Sequence, residues 1–379
     1  MDVLLKVLKQ LRLPPELQPL KKELKKVLKE KHSVKVYSAE DEELIAKIKA
    51  ETIRLNKNNV TRTQAYYDYY QECPEIHWSF LAHMVSRNAG WNMTDLRGEF
   101  LSRILNGEEQ KAFFAFLERG NWLIFQDAYP QLLLYREWKR TRKNRFHLLA
   151  DFHVSAFMEV VWNHYLQSKD VGILTHGLII NEQNYIQSRV MNNAVFQKNV
   201  VDTLEFKLQD YLAFNHILFP YMQDGNVSLK GDTVHQFQHV EARIRFGKKL
   251  YQILFSTEKN QVKQWAAANQ HTGSRKDYWS HLFSDIQDKV PGSAYTAKLQ
   301  GCHLKNASSR LYSPQLLAVW DTFDHEPAQA EEWYKDWRVL FLLKEEEAAG
   351  DGRIEADYCQ SLEGLELAAL AKKVISVFT

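Results

Sequence analysis

The sequence predicts an all-α fold, an irregular multi-helix bundle with little or no β-structure, and three observations predict it. Nearly every segment repeats its apolar residues with a period near 3.6. Strand-like alternation of apolar and polar residues is nearly absent. The composition is that of an ordinary globular chain, 45% hydrophobic and 25% charged over 379 residues, long enough for a large buried core. With aromatic residues at 12%, rings are expected to fill much of that core.

Residues 1–34 read as a basic amphipathic helical arm and 35–379 as a single large helical domain. In the arm, Pro14 and Pro15 separate two short pieces. Leu17, Leu20, Leu24, Val27 and Leu28 form one stripe of the second piece, and Lys21, Lys22, Lys25, Lys26 and Lys29 occupy the rest. Such a stripe docks on its own domain, or attaches residues 1–31 to a partner protein or an anionic membrane surface. Ser38 with Asp41 opens a helix that runs to Leu55, and Thr61 with Gln64 fits a capping box for the next. Helical periods follow at 75–88, 94–105, 108–118, 146–166, 178–191, 200–222, 233–255, 314–320, 328–343 and 356–377, the last packing on the main domain. A turn at Gly90 and Trp91 divides the first and second of these helices, and Pro130 and Pro220 are expected to kink or end theirs. Ser313 before Pro314 reads as an N-cap with proline at the first helical position. Residues 224–231, 289–309 and 350–353 read as loops.

Composition excludes several classes. A net charge of +2 gives no global pull towards nucleic acid, and no nucleic-acid signature is present. No window approaches a membrane-spanning length, and the Lys-punctuated N-terminus is not a secretory signal. The three cysteines are far apart and odd in number, which suits a reducing, cytoplasmic compartment. There is no phosphate-cradling glycine loop and no G-x-S-x-G elbow, and the sequence identifies no cofactor.

Polar residues on buried helical lines mark where function is sought. His77 and Asn88 lie in the middle of the 75–88 apolar arc, while His83, Arg87, Ser79 and Ser86 fill the narrower polar arc, with Arg87 at its edge beside Ile76 and Phe80. Glu182 and Arg189 lie inside the 178–191 arc, too far apart to pair directly. His147 and Asp151, four apart, can touch as imidazole and orienting carboxylate. His235 and His239 have the spacing of a metal-binding pair, but lack any carboxylate on the same line, so metal binding is not expected. Two classes of function follow. One is a binding protein whose polar, partly buried pocket, drawn from Arg62, His77, Arg87, Asn88, Glu182 and Arg189, holds a small polar or anionic ligand or a partner segment. The other is an enzyme using His147, Asp151 or Glu182 for acid–base work, or the His235/His239 pair for metal-assisted chemistry. A scaffold docking through the arm is the third reading.

The segments NVTRTQAY (59–66), PEIHWSFLAHMVSRNAGWNMTDLRG (74–98) and HGLIINEQNYIQSRV (176–190) resemble those of the YppC-like proteins, an uncharacterised family of Bacillus-type bacteria carrying a domain of unknown function. The similarity covers most of the chain from about residue 50 to about residue 345. The resemblance implies a bacterial, cytoplasmic protein and assigns no catalytic or binding residue.

Overall fold

The structure is a computed structural model that describes residues 13–29, 37–201, 215–255, 259–287, 295–305, 308–328, 331–334, 336–344 and 350–378. Helices dominate, as the apolar periodicity predicts. Helix α1 (Gln18–Val27) turns Leu20 and Leu24 inward, with Leu13 and Leu17 buried just before it, so this part of the arm lies on its own chain. It packs on α7 (Ala156–Ser168) and on a 3-10 segment, Trp337–Leu343, where the Lys21 ammonium sits 3.8 Å from the Trp337 ring centre. The first piece of the arm falls outside the described residues. Helix α2 (Ala39–Leu55) opens at Ser38, whose side chain accepts the Asp41 amide, and three acidic residues complement the dipole of its first turn.

Helix α3 (Asn59–Glu72) is capped one turn earlier than Thr61 and Gln64 suggest: Asn58 and Thr61 form the reciprocal box, and Gln64 instead donates to Asp68 at 2.7 Å. The central element is α4 (His77–Asp95), which touches α3, β1 (His216–Gln223), α6 (Gly107–Thr141), α8 (Val171–Ile186) and α9 (Val240–Leu254). It runs straight through Gly90 and Trp91, so the expected turn there is absent. The glycine serves a close approach instead, since a Cβ would stand 2.5 Å from His271 Nε2 and closer still to Asn59 Oδ1. Beyond it, only the single turn α5 (Leu101–Ile104) forms within the expected 94–105 helix.

Pro130 lies inside the 35-residue α6 rather than ending it. Its penalty of about 3 kcal/mol is offset by flanking side chains, Phe125, Tyr129, Leu132 and Leu133, that are all buried. The expected 146–166 helix is broken: Phe146–Phe152 is a 3-10 helix, His153 adopts a left-handed φ of 60°, and α7 starts afresh at Ala156. After α8 the chain winds through wider π turns to Val201.

The largest departure from the all-helical pattern is a β-hairpin. Strand β1 pairs antiparallel with β2 (Asn226–Thr233) across Asp224 and Gly225, whose φ values of 49° and 81° suit a two-residue hairpin turn. Of the expected helix over 200–222, residues 202–214 lie outside the described residues and the part from His216 is a strand, and the expected loop over 224–231 falls largely on its partner. Pro220 is tolerated because a two-stranded ribbon leaves one edge of β1 unladdered. Helix α9 begins only at Val240, followed by α10 (Lys259–Ala268). Two short ladders follow, Phe283–Ser284 beside Leu311–Tyr312 and Leu299–Gln300 beside His303–Leu304. A helical turn spans Leu316–Val319, capped at Gln315 rather than Ser313, because the Ser313 hydroxyl accepts the Arg275 amide at 2.9 Å. Residues 331–334 are not helical. Helix α11 (Glu355–Phe378) closes the chain and is tied to the second ladder by a Cys302–Cys359 disulfide, so only Cys73 is a free thiol. Among the described residues no helix is long and apolar enough to cross a membrane.

Candidate functional site

A polar seam runs between the α3–α4 pair and the loop 269–278. On α4, His83, Arg87 and Trp91 recur every fourth residue and so lie on one line. Asn59 and Thr63 face them from α3. The His83 Nδ1 lies 2.8 Å from the Thr63 carbonyl, which only accepts, so Nδ1 carries the proton and Nε2 is free to accept Arg87 Nε at 3.0 Å. Burial, reinforced by the Arg87 charge, holds this ring well below the ordinary histidine range, and it stays neutral.

Arg87 is 2% exposed, and among the described residues it makes no carboxylate ion pair. Its Nη2 donates to the carbonyls of Ala266, at 3.2 Å, and Asn269, where the dipole of α10 is negative. The guanidinium also lies 5.0 Å from the Trp265 ring centre. Burial pushes the guanidinium down to about 10, so it is still a cation at neutral pH. Arg87 Nη1, Trp265 Nε1 and His271 Nδ1 are buried with no hydrogen-bond partner among the described residues, so the seam carries unused polar capacity.

Asn59 Nδ2 donates to the Ser86 carbonyl at 2.8 Å, leaving Oδ1 to accept His271 Nε2 at 2.8 Å. The Ser86 hydroxyl is also 2.6 Å from Thr63 Oγ1. His271 Nδ1 then faces Asp277 Oδ2 at 3.6 Å. Burial, with Arg87 beyond it, keeps the His271 ring below its ordinary range against the pull of Asp277. Burial acts to raise the Asp277 carboxyl, but the His271 ring and the hydroxyl and amide of Thr272 outweigh it and hold the group ionised. Those two Thr272 bonds measure 2.5 and 2.9 Å.

The loop is fixed from its other side by Arg275. Its Nε and Nη2 meet Asp95 Oδ2 at 2.7 and 2.6 Å, Nη1 donates to the Tyr278 hydroxyl at 2.7 Å, and Nη2 also reaches Asn92 at 3.0 Å. Gly273 turns the chain at φ 82°, and a Cβ there would stand 2.5 Å from that of Leu316. Above the loop opens a cleft of about 440 Å³. Asp277 and Thr272 line it together with Asn269 and Gln270, and on its far side Lys276 pairs with Asp285 at 2.7 Å. Gln315 adds a bond to Asp285 at 3.1 Å.

Of the residues put forward in the sequence as catalytic, ligand-binding or metal candidates, Arg87 alone joins this seam, together with His83 and Ser86 from the expected polar arc. Asn88 is buried beside it but points to β1, where it accepts the Leu218 amide at 2.8 Å and donates to the Leu218 carbonyl at 2.9 Å. His77 is half-buried, 2.9 Å from the Tyr251 hydroxyl and stacked on Phe255. Arg62 is buried on Glu118 at 2.6 Å, and Glu118 also lies 3.6 Å from His325. Glu182 accepts Trp78 Nε1 at 3.1 Å, and burial pushes its carboxyl up to about 8. Arg189 lies 3.9 Å from its own Tyr185 ring centre and reaches Glu331 at 3.9 Å.

His147 is exposed, and Asp151 accepts the Tyr37 hydroxyl. The tighter 3-10 turn takes these two off the common helical line their spacing implied. His235 and His239 are exposed and precede α9, so they do not share a helix face; among the described residues no group of three His, Cys, Asp or Glu can hold a metal ion. The sequence reading did not reach Asn59, His271, Thr272, Arg275 or Asp277. The only local signal there is the turn-forming run Asn269–Ser274, which has no period. A separate buried network joins Asp127 to Asn181 at 2.6 Å and to Gln131 at 2.9 Å, with Trp162 on Gln131 and Ser155 and Trp333 on Asn181.

Fold and seam together define a predominantly helical protein in which one buried helix carries a polar loop beside an open cleft. The chain belongs to the family described as "Protein of unknown function (DUF2515)", whose model matches residues 54–351. It is 46% identical over 235 residues to the "Uncharacterized protein YppC" of Bacillus subtilis (strain 168), an alignment that covers 62% of this chain and 72% of that protein. No solved structure matches it.

Proposed function

We propose that the protein binds a small polar ligand in the cleft above the 269–278 loop. One observation carries the reading: Asp277, a carboxylate held ionised by its neighbours, lines a polar cleft large enough for a small molecule. With Asp277 and Asp285 against Lys276, the lining favours ligands that offer hydroxyl or ammonium donors over anions. Binding is favoured over acid–base catalysis because a carboxylate held below its usual range is a weak base at neutral pH. His271 does not line the cleft and turns its unprotonated Nδ1 to Asp277, and the Thr272 hydroxyl donates to Asp277, so neither offers a base to a nucleophile there.

The test is calorimetric titration of the full chain with polyols, amino acids and amines. D277N is expected to weaken any ligand found at least tenfold, and Q315A, on the rim, to weaken it by less. Retained affinity in D277N, with Q315A also unchanged, would overturn the reading. A cytoplasmic location is part of this proposal; the Cys302–Cys359 bond speaks against a strongly reducing compartment, and counting free thiols in freshly quenched cells decides between them.

A further inference from the structure

A second cavity, of about 320 Å³, lies where the chain leaves α4, lined by Arg97, Glu99, Ser102, Arg103, Tyr312 and Val319 among others. Its charge is opposite in sign to that of the cleft. Glu99, the buried acid here, is already spent: Oε2 accepts Lys298 Nζ at 3.0 Å and the Tyr312 amide at 2.9 Å, and Oε1 lies 3.5 Å from Arg103. The cavity lining therefore sets two guanidiniums, Arg97 and Arg103, against the one carboxylate of Glu99, which already pairs with the buried Lys298.

Arg97 carries the excess. Its guanidinium lies 4.5 Å from the Trp320 ring centre, and among the described residues its side chain has no hydrogen bond or ion pair. Trp320 is itself fixed, donating to the Met93 carbonyl at 2.9 Å and stacking on Phe114 at 4.2 Å. Trp320 thus packs against both Phe114 and the Arg97 guanidinium, whose N–H donors make no hydrogen bond among the described residues. Arg103 is likewise held by the Tyr295 ring at 4.7 Å and by a bond from its Nε to the Glu99 carbonyl at 2.9 Å.

We propose that this cavity binds the phosphate group of a small molecule, with Arg97 as its principal bidentate donor and Arg103 as its second. A phosphate monoester carries a charge of about −1.5 to −2 at neutral pH and three acceptor oxygens, enough to meet both guanidinium forks at once; a single carboxylate has only two oxygens. The site is separate from Asp277, and the proposal is independent of the cleft.

The test titrates the full chain with inorganic phosphate and with a nucleoside monophosphate, using chloride and acetate at matched ionic strength as controls. Saturable binding of phosphate over both controls is expected, weakened at least tenfold in R97Q and unchanged in D277N. V319E places a carboxylate in the cavity from a half-exposed position without altering Arg97, and is expected to abolish binding; it decides the matter if R97Q does not fold. No preference for phosphate over chloride, or phosphate binding retained in R97Q or in V319E, would overturn the proposal. Binding of the nucleotide but not of inorganic phosphate would also overturn it, since the phosphate group would then not be the recognised part.

Discussion

Replacing Gly90 by alanine inverts an ordinary rule. Within a helix, glycine to alanine stabilises by up to about 1 kcal/mol, because alanine has the higher propensity and the less flexible unfolded chain. In α4 the new Cβ would meet His271 Nε2 at 2.5 Å and Asn59 Oδ1 closer still, and neither neighbour is the loose end of a flexible chain. Asn59 is anchored on Ser86, and His271 is wedged between Asn59 and Asp277. Overpacking of this kind costs about 1–3 kcal/mol. Parting the His271–Asn59 bond leaves a buried donor and acceptor unmet, at a further cost of about 1–3 kcal/mol. The net expectation for G90A is a loss of about 3 kcal/mol. Gly120, in the interior of α6, is the internal control, because nothing lies within 4 Å of its added Cβ and G120A should gain about 1 kcal/mol. Urea unfolding followed by the fluorescence of the 10 tryptophans measures both. If G90A proves as stable as the wild type while G120A shows its gain, α4 does not approach the 269–278 loop as described.

Two further expectations concern stability. Burial pushes the Asp127 carboxyl up to about 7, so the folded state holds a proton that the unfolded chain releases near pH 4. That contribution is complete below pH 4 and disappears as pH rises to about 7; wild-type stability relative to D127N should therefore fall by on the order of 2–4 kcal/mol across that window, and a flat difference curve would place Asp127 in water. Reducing Cys302–Cys359, which are 57 residues apart, should cost about 4 kcal/mol by the loop-entropy argument, and C302S should reproduce the loss without reductant; equal stability in both redox states would show that the bond adds no constraint.

What the sequence revealed and what it hid have separate physical causes. The leucine stripe of the arm, the Ser38 cap and the inward Asn88 were legible because each is a local pattern read against a helical period. The β-hairpin was not. HILFPYMQ is an apolar run that fits a buried helix as well as a strand, and the decisive signal, Asp224–Gly225 with φ above zero at both positions, was read as part of a loop. His83 and Arg87 were assigned to a polar arc because a wheel assumes one solvent face. Helix α4 has none, being packed all round, so even its polar arc is core. The loop 269–278 meets α4 through contacts some 180 residues apart in sequence, such as Arg275 with Asp95, which no local pattern records.

The same distinction separates lock from site along α4. Asn88 spends its side-chain bonds on the backbone of its own helix and of Leu218, and His83 has both ring nitrogens occupied. Such fully met groups fix the register of helix, strand and loop, and gain nothing from a ligand. Arg87 and His271 differ, each holding a loop by some of its donors while another buried nitrogen is unmet. An unmet buried atom costs about 1–3 kcal/mol wherever it occurs, Arg62 Nε beside Glu118 included, so it is their place next to the cleft that sets Arg87 and His271 apart. The unmet nitrogens occur where Asn269 and Asp277 reach the cleft wall, so the polar residues of the α4 signature divide into a scaffold at Asn88 and a backing for the cleft at Arg87.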